Sequence, residues 1–318
     1  MNRKTTVILI VILAVILLPV IIALFIGALM LVAKSGAPSG GQVGVIRVEG
    51  IITSGRGSAG FLGDGVAGSE HIVKLLEKFR NDDSVKSLVL RVNSPGGSPA
   101  GSQEIYQEIL RVRKSGKHVI VSMGDVAASG GYYISSAADK IYADSASLTG
   151  SIGVIMETSD IHKLLEKVGV NMGAIKSGKY KDMGSISRPM TTEEKKLLQG
   201  IIDDTYDQFV TDVSAGRGIP KDELKKIADG RVFTGRQAVR YKLVDKLGTL
   251  EDAYKAAAIA AGIKGEFTVK EYEESTGLFD LLFGSSDTST RIAIPSKTSS
   301  LRELAQRLFS IDSNLSLR

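Results

Sequence analysis

Ser129, in the small-residue run Val126-Ala-Ala-Ser129-Gly-Gly-Tyr-Tyr133, is the residue of this chain that most resembles an exposed nucleophile. A serine hydroxyl attacks a carbonyl only when a neighbouring base takes its proton, so hydrolysis is the chemistry in view and the base is the open question. Cysteine is absent, which removes disulfides, thiolate nucleophiles and Cys-type zinc sites together. Serine, lysine and carboxylates are left to carry the chemistry.

Three histidines are available. His71 falls at the start of a predicted helix, His118 ahead of a buried strand, and His162 in Asp160-Ile-His-Lys163. His162 has an aspartate near it in sequence, but triad members normally come from separate loops, and each histidine reads as a surface residue. A Gly-x-Ser-x-Gly elbow is also missing, because Ala127 stands where the first glycine belongs. Lysine can serve instead if burial or positive neighbours leave it neutral near pH 7. Residues 175–184 carry Lys176, Lys179 and Lys181, a cluster that on composition alone reads as a solvated basic loop. The same stretch mimics a phosphate-binding loop from Gly173 to Lys179, but Tyr180 occupies the place of the magnesium-holding hydroxyl, and the nucleotide reading fails there.

These residues need elements to hold them. Val43 to Ile52 is predicted as a strand, His71 to Phe79 as a helix with one apolar face, and Val85 to Val92 as a strand stopped by Asn93-Ser-Pro-Gly-Gly97. Gln103 to Val112 has helical spacing and Val119 to Met123 reads as a buried strand. Ser129 to Ala138 follows as a helix, Lys140 to Ala143 and Gly150 to Met156 as strands, and Ile161 to Val168 as a helix. Strands alternating with helices predict parallel pairing in an α/β domain. Thr191 to Ser214 is predicted as a long amphipathic helix, opened by a capping box between Thr191 and Glu194. Asp222 to Ala228, Gly235 to Tyr241 and Leu250 to Ala261 continue the helices, with Gly262 as a C-terminal cap. Gly55 to Gly68 is a glycine-rich loop of low complexity.

The chain has 318 residues, 43% of them hydrophobic, enough for a packed core. Its net charge of +5 is scattered and gives no nucleic-acid footprint. Residues 7–33 form an apolar run of 27 residues broken only by Pro19 and Gly27, above the roughly 20 needed to cross a bilayer. A cleaved signal peptide is the alternative, but its apolar region is usually only about 7 to 15 residues. Arg3 and Lys4 place the short tail, residues 1–6, in the cytoplasm and everything after the span outside it, as a single-pass protein of the cell membrane. The expected organisation is this anchor, a linker over 34–42, a catalytic domain over 43–265 and a C-terminal extension over 266–318.

Four stretches together resemble the signal peptide peptidase A (SppA) family, short single-unit bacterial serine peptidases: Asn93-Ser-Pro-Gly-Gly97, Ala128-Ser129-Gly-Gly-Tyr-Tyr133, Leu148-Thr-Gly-Ser151-Ile-Gly-Val154 and Ser177-Gly-Lys-Tyr-Lys181-Asp182. The resemblance runs from about Gly44 to Ala261. It implies Ser129 as nucleophile, Lys181 as general base, Ser151 as the hydroxyl that orients the lysine, and Gly96 and Gly130 as the oxyanion donors. It also implies the β-α spiral of Clp-type peptidases and crotonases. The expected assembly is a ring-like homo-oligomer, with an octamer as one size open to it, in which the lysine can come from the adjacent protomer. No metal or other cofactor is called for. The expected partners are peptide substrates such as spent signal peptides, and membrane lipid around the anchor. Two alternatives stand beside this: a peptidase of the same fold acting on another membrane protein, and a non-catalytic crotonase-like scaffold.

Overall fold

The computed structural model describes residues 17–18, 41–57, 65–273 and 290–293. All of the apolar run at 7–33 except residues 17–18, most of the linker and most of the C-terminal extension therefore lie outside the described residues. Among those described, no helix is long and apolar enough to cross a membrane.

The fold is mixed α/β around one central sheet. Its strands are β1 (Gln42–Glu49), β4 (Val85–Ser94), β5 (His118–Ala128), β6 (Lys140–Ala143), β9 (Lys246–Leu247), β10 (Glu266–Glu271) and β11 (Thr290–Ala293), in the order β11-β10-β1-β4-β5-β6-β9. All neighbours pair in parallel except β10 with β11. A strand of such a sheet is covered on both faces, so alternate side chains feed two cores and the sequence reads as an unbroken apolar run. In β1, Val43 and Val45 pack with Tyr254 and Ala257 of α8 (Leu250–Ala260), while Ile46 and Val48 face the larger core. That second core also takes Leu76 of α1 (Ser69–Arg80) and Ile105 and Ile109 of α2 (Pro99–Lys114).

Two short strands, β7 (Leu148–Gly150) and β8 (Val232–Thr234), extend the sheet off the end of β5, and β2 (Ile51–Thr53) pairs with β3 (Val66–Gly68). The remaining helices are α3 (Gly130–Ser136), α4 (His162–Lys167), α5 (Thr192–Arg217), α6 (Lys221–Lys225) and α7 (Gly235–Arg240). The capping box at Thr191 forms as the sequence predicts, with Glu194 N–H on the threonine hydroxyl and Thr191 N–H on the glutamate carboxylate.

Several elements differ from the sequence reading. The predicted strand over 43–52 is two strands, because Gly50 turns at φ +82. The predicted strand over 150–156 ends at Gly150: Gly150 and Ser151 both adopt positive φ, and 151–161 has no regular structure. The glycine-rich stretch over 55–68 contributes β3 at its end, and residues 58–64 lie outside the described part. β10 begins beyond Gly265 and pairs with β1, so the core continues past that residue. α2 starts earlier than predicted, at Pro99, with Ser98 Oγ accepting the Gly101 N–H at 3.2 Å.

Candidate active site

Ser129 is the hinge between β5 and α3, at φ 52 and ψ −119. A non-glycine residue held there is strained, and such strain persists only where surrounding structure fixes it. Here the fixing is visible. Ser129 N–H donates to Gly150 O at 2.9 Å, and the Thr149 hydroxyl donates to Ala127 O at 2.7 Å, which sews β7 onto β5 beside the serine. Behind it, α3 is wholly buried. Tyr132 donates to Leu243 O at 3.0 Å, while the Tyr133 hydroxyl donates to Asp212 of α5 and its ring packs on Phe209 at 4.9 Å. Ser129 therefore sits half-buried on a rigid mount.

The Pro95-Gly96-Gly97 turn at the end of β4 lies directly on this mount. A Cβ on Gly96 (φ +102) would come within 2.6 Å of Gly130 N and 2.8 Å of Ser129 Cβ, so only glycine fits. Gly96 N–H is engaged by the buried Ser94 hydroxyl at 3.1 Å and is not free to donate elsewhere. Gly97 bridges Ile52 in parallel, with Ile52 N–H on Gly96 O and Ser98 N–H on Ile52 O, both at 2.8 Å. In that pattern the N–H of Gly97 itself points away from Ile52. Gly97 and Gly130, not Gly96, line a cleft of about 340 Å³ together with Ser129. Neither of their N–H groups has a partner among the described residues. Two unpaired amides flanking a serine can hold the oxyanion of a tetrahedral adduct.

Ser151 follows β7, with its N–H on Arg231 O at 2.8 Å, and lines a second cleft of about 510 Å³ that also opens on Ser129. Ile202, Asp203, Tyr206, Lys225 and Asp229 form its far wall. The two clefts thus meet at Ser129. None of the three histidines lines either one, and His162 bonds Asp160 at 2.6 Å on an exposed helix.

Lys181 is exposed and lies outside the linings of both clefts, in the turns between α4 and α5. Its loop nevertheless distinguishes it from its neighbours. Lys176 Nζ pairs with Asp182, and Lys179 Nζ pairs with Glu193, which pushes the Lys179 pKa up. A lysine held as an ammonium by a carboxylate is a poor base. The Lys181 side chain has no partner among the described residues. Sequence reasoning missed Gly97 and Ser94, although both stand within the Asn93-Ser-Pro-Gly-Gly97 motif it had singled out.

The family model described as peptidase family S49 matches residues 111–264. A protein of Synechocystis sp., provisionally named as a protease, is 43% identical over 222 residues, covering 70% of this chain and 75% of that one. Another of Methanocaldococcus jannaschii, with a similar provisional name, is 42% identical over 217 residues, covering 68% and 69%. A protein of Enterococcus faecium, provisionally named signal peptide peptidase SppA, is 40% identical over 207 residues, covering 65% and 60%.

Proposed function

The chain belongs to the SppA family of serine peptidases, peptidase family S49, and from that premise we propose that it cleaves peptides through an acyl-enzyme on Ser129 with Lys181 as its base. The observation that carries this reading is the strained Ser129 between the free amides of Gly97 and Gly130. Neutral Lys181 takes the Oγ proton as Oγ attacks the scissile carbonyl, and the resulting oxyanion accepts from the two amides. Collapse expels the amine, which leaves with the proton from Lys181. Water then repeats the cycle on the ester, again deprotonated by Lys181, and frees Ser129 and the new carboxylate. Ser151, which lines the second cleft with Ser129, would hydrogen-bond and orient the incoming Lys181 amine.

Because Lys181 lines neither cleft of its own protomer, we infer that a neighbouring copy supplies it, entering through the second cleft. Support comes from the segment that carries it. α4 buries none of its residues, and Ile155, Leu164, Val168, Met172 and Ile175 are all exposed. An apolar surface of this kind suits packing against another copy in a ring-like homo-oligomer. Burial there would supply the desolvation that makes a lysine neutral near pH 7.

The sheet, with β7 and β8 turning off the end of β5, fits the β-α spiral of Clp-type peptidases and crotonases. We read residues 7–33 as the membrane anchor, with the N-terminus cytoplasmic and the peptidase outside. Its substrates would be apolar segments such as spent signal peptides; Pro99, Ala100, Val154, Ile155 and Phe209 in the first cleft suit them. Ser129→Ala and Lys181→Ala should each lose at least about a thousandfold in kcat/KM with melting temperature unchanged. Full peptide hydrolysis by either folded variant would sink the mechanism.

A further inference from the structure

The loop that carries Lys181 is fastened on both sides of that residue and not at it. Lys179 Nζ and the Tyr180 hydroxyl both reach the Glu193 carboxylate at the start of α5. On the other side Lys176 Nζ donates to Asp182, and Arg188 grips Asp182 through Nε at 2.9 Å and Nη2 at 2.8 Å. The same guanidinium donates to both carboxylate oxygens of Glu194, through Nη1 at 3.0 Å to one and Nη2 to the other. Glu194 is already held by the capping box, and its side chain is only 4% exposed. The planar fork of arginine thus ties Asp182, next in sequence to Lys181, to the first turn of a 26-residue helix.

We propose that Arg188 is a positioning residue for the peptidase reaction, bridging Asp182 to Glu194 so that Lys181 is presented at a fixed place beside a neutralised carboxylate. This rests on the reading of Lys181 as general base. Two physical effects follow from the bridge. Residue 181 has its backbone fixed, which matters because a misplacement of about 1 Å can cost about a hundredfold in rate. The local charge is also balanced. The ionisable groups facing the segment are Lys176, Lys179, Tyr180 and Asp182 on the loop, Arg188 beyond it, and Glu193 and Glu194 on α5. Three are cations and three are carboxylates, with the tyrosine uncharged near pH 7. Removing the arginine leaves one carboxylate in excess, which favours protonated Lys181, and removing the Asp182 charge does the reverse.

The test is the pH dependence of kcat/KM for Arg188→Gln and Asp182→Asn in the full-length assembled protein. Arg188→Gln should lower kcat/KM about tenfold or more at pH 7 and move the acid limb to higher pH by about half a unit. Asp182→Asn should move the same limb to lower pH. Acid limbs that stay at the parent pH in both variants, whatever the drop in rate, would reduce Arg188 to a structural tie and overturn the proposal. Should Arg188→Gln not fold, Asp182→Asn decides alone: a downward shift supports the bridge and an unmoved limb overturns it. A Lys181→Ala control separates the two levels. Activity retained in that control removes the base itself, whereas loss of activity there with unshifted limbs in the bridge variants removes only the role of Arg188.

Discussion

At the scale of single residues, the site turns on which of two adjacent glycines offers its amide. Gly96 and Gly97 are equivalent in sequence, but successive peptide groups along an extended segment point to opposite sides. The bridge to Ile52 sets that parity and turns the N–H of Gly97, which lines the cleft, away from Ile52. Ser94 secures the arrangement by capturing the Gly96 amide at 3.1 Å. Ser94→Ala should therefore leave a buried N–H unpaired, destabilising the fold by about 1–3 kcal/mol. It should also lower kcat more than it changes KM, because the oxyanion forms only after binding. Thermal melts and steady-state kinetics on the same preparation check both parts. The lysine shows the same limit of sequence. Three lysines within 176–181 look alike until Asp182 and Glu193 claim two of them.

At the scale of elements, the clamp between the lysine loop and α5 makes a prediction about pH. Arg188, and then the Thr191 backbone, hold the Glu194 carboxyl down to about 2, from an ordinary value of 4.5. Arg188 and Lys176 likewise hold Asp182 well below the usual carboxylate range. Groups whose folded pKa is lowered contribute stability that is complete above their unfolded value and lost as pH falls toward the folded one. The loop should thus stay closed from neutrality to about pH 5 and open progressively toward pH 2. Pepsin cleavage within 176–190, divided at each pH by its rate on an unstructured peptide of the same sequence, should be low at the upper end of its working range and rise toward pH 2, and a ratio independent of pH would refute the clamp. Most of these elements were legible in the sequence. Continuous apolar runs gave the central strands, and the Thr191 to Glu194 spacing gave the start of α5. Among the strands that were missed or misjudged, β7, β8 and β10 have only three, three and six residues, and long-range pairing stabilises them more than local preference does.

At the scale of the whole molecule, the inferred assembly predicts that the site is completed between copies. Mixing inactive Ser129→Ala and Lys181→Ala chains under conditions that allow exchange should restore activity, to about a quarter of the native sites if the two chains mix at random. No recovery in a mixed oligomer verified by mass would place serine and lysine in one protomer. The sequence by itself determined the class of chemistry: a serine among small residues, no cysteine, no histidine in suitable company, a lysine-bearing loop, and four motifs in family order. It also determined the alternation that yields a mostly parallel sheet. Tertiary structure alone decided which glycine amide is free, which lysine is unpaired, and that Ser129 opens on two clefts, neither of them lined by Lys181. Those facts depend on peptide orientation and on contacts between residues far apart in the chain. Local sequence fixes what a residue can do, and only the folded backbone fixes what it faces.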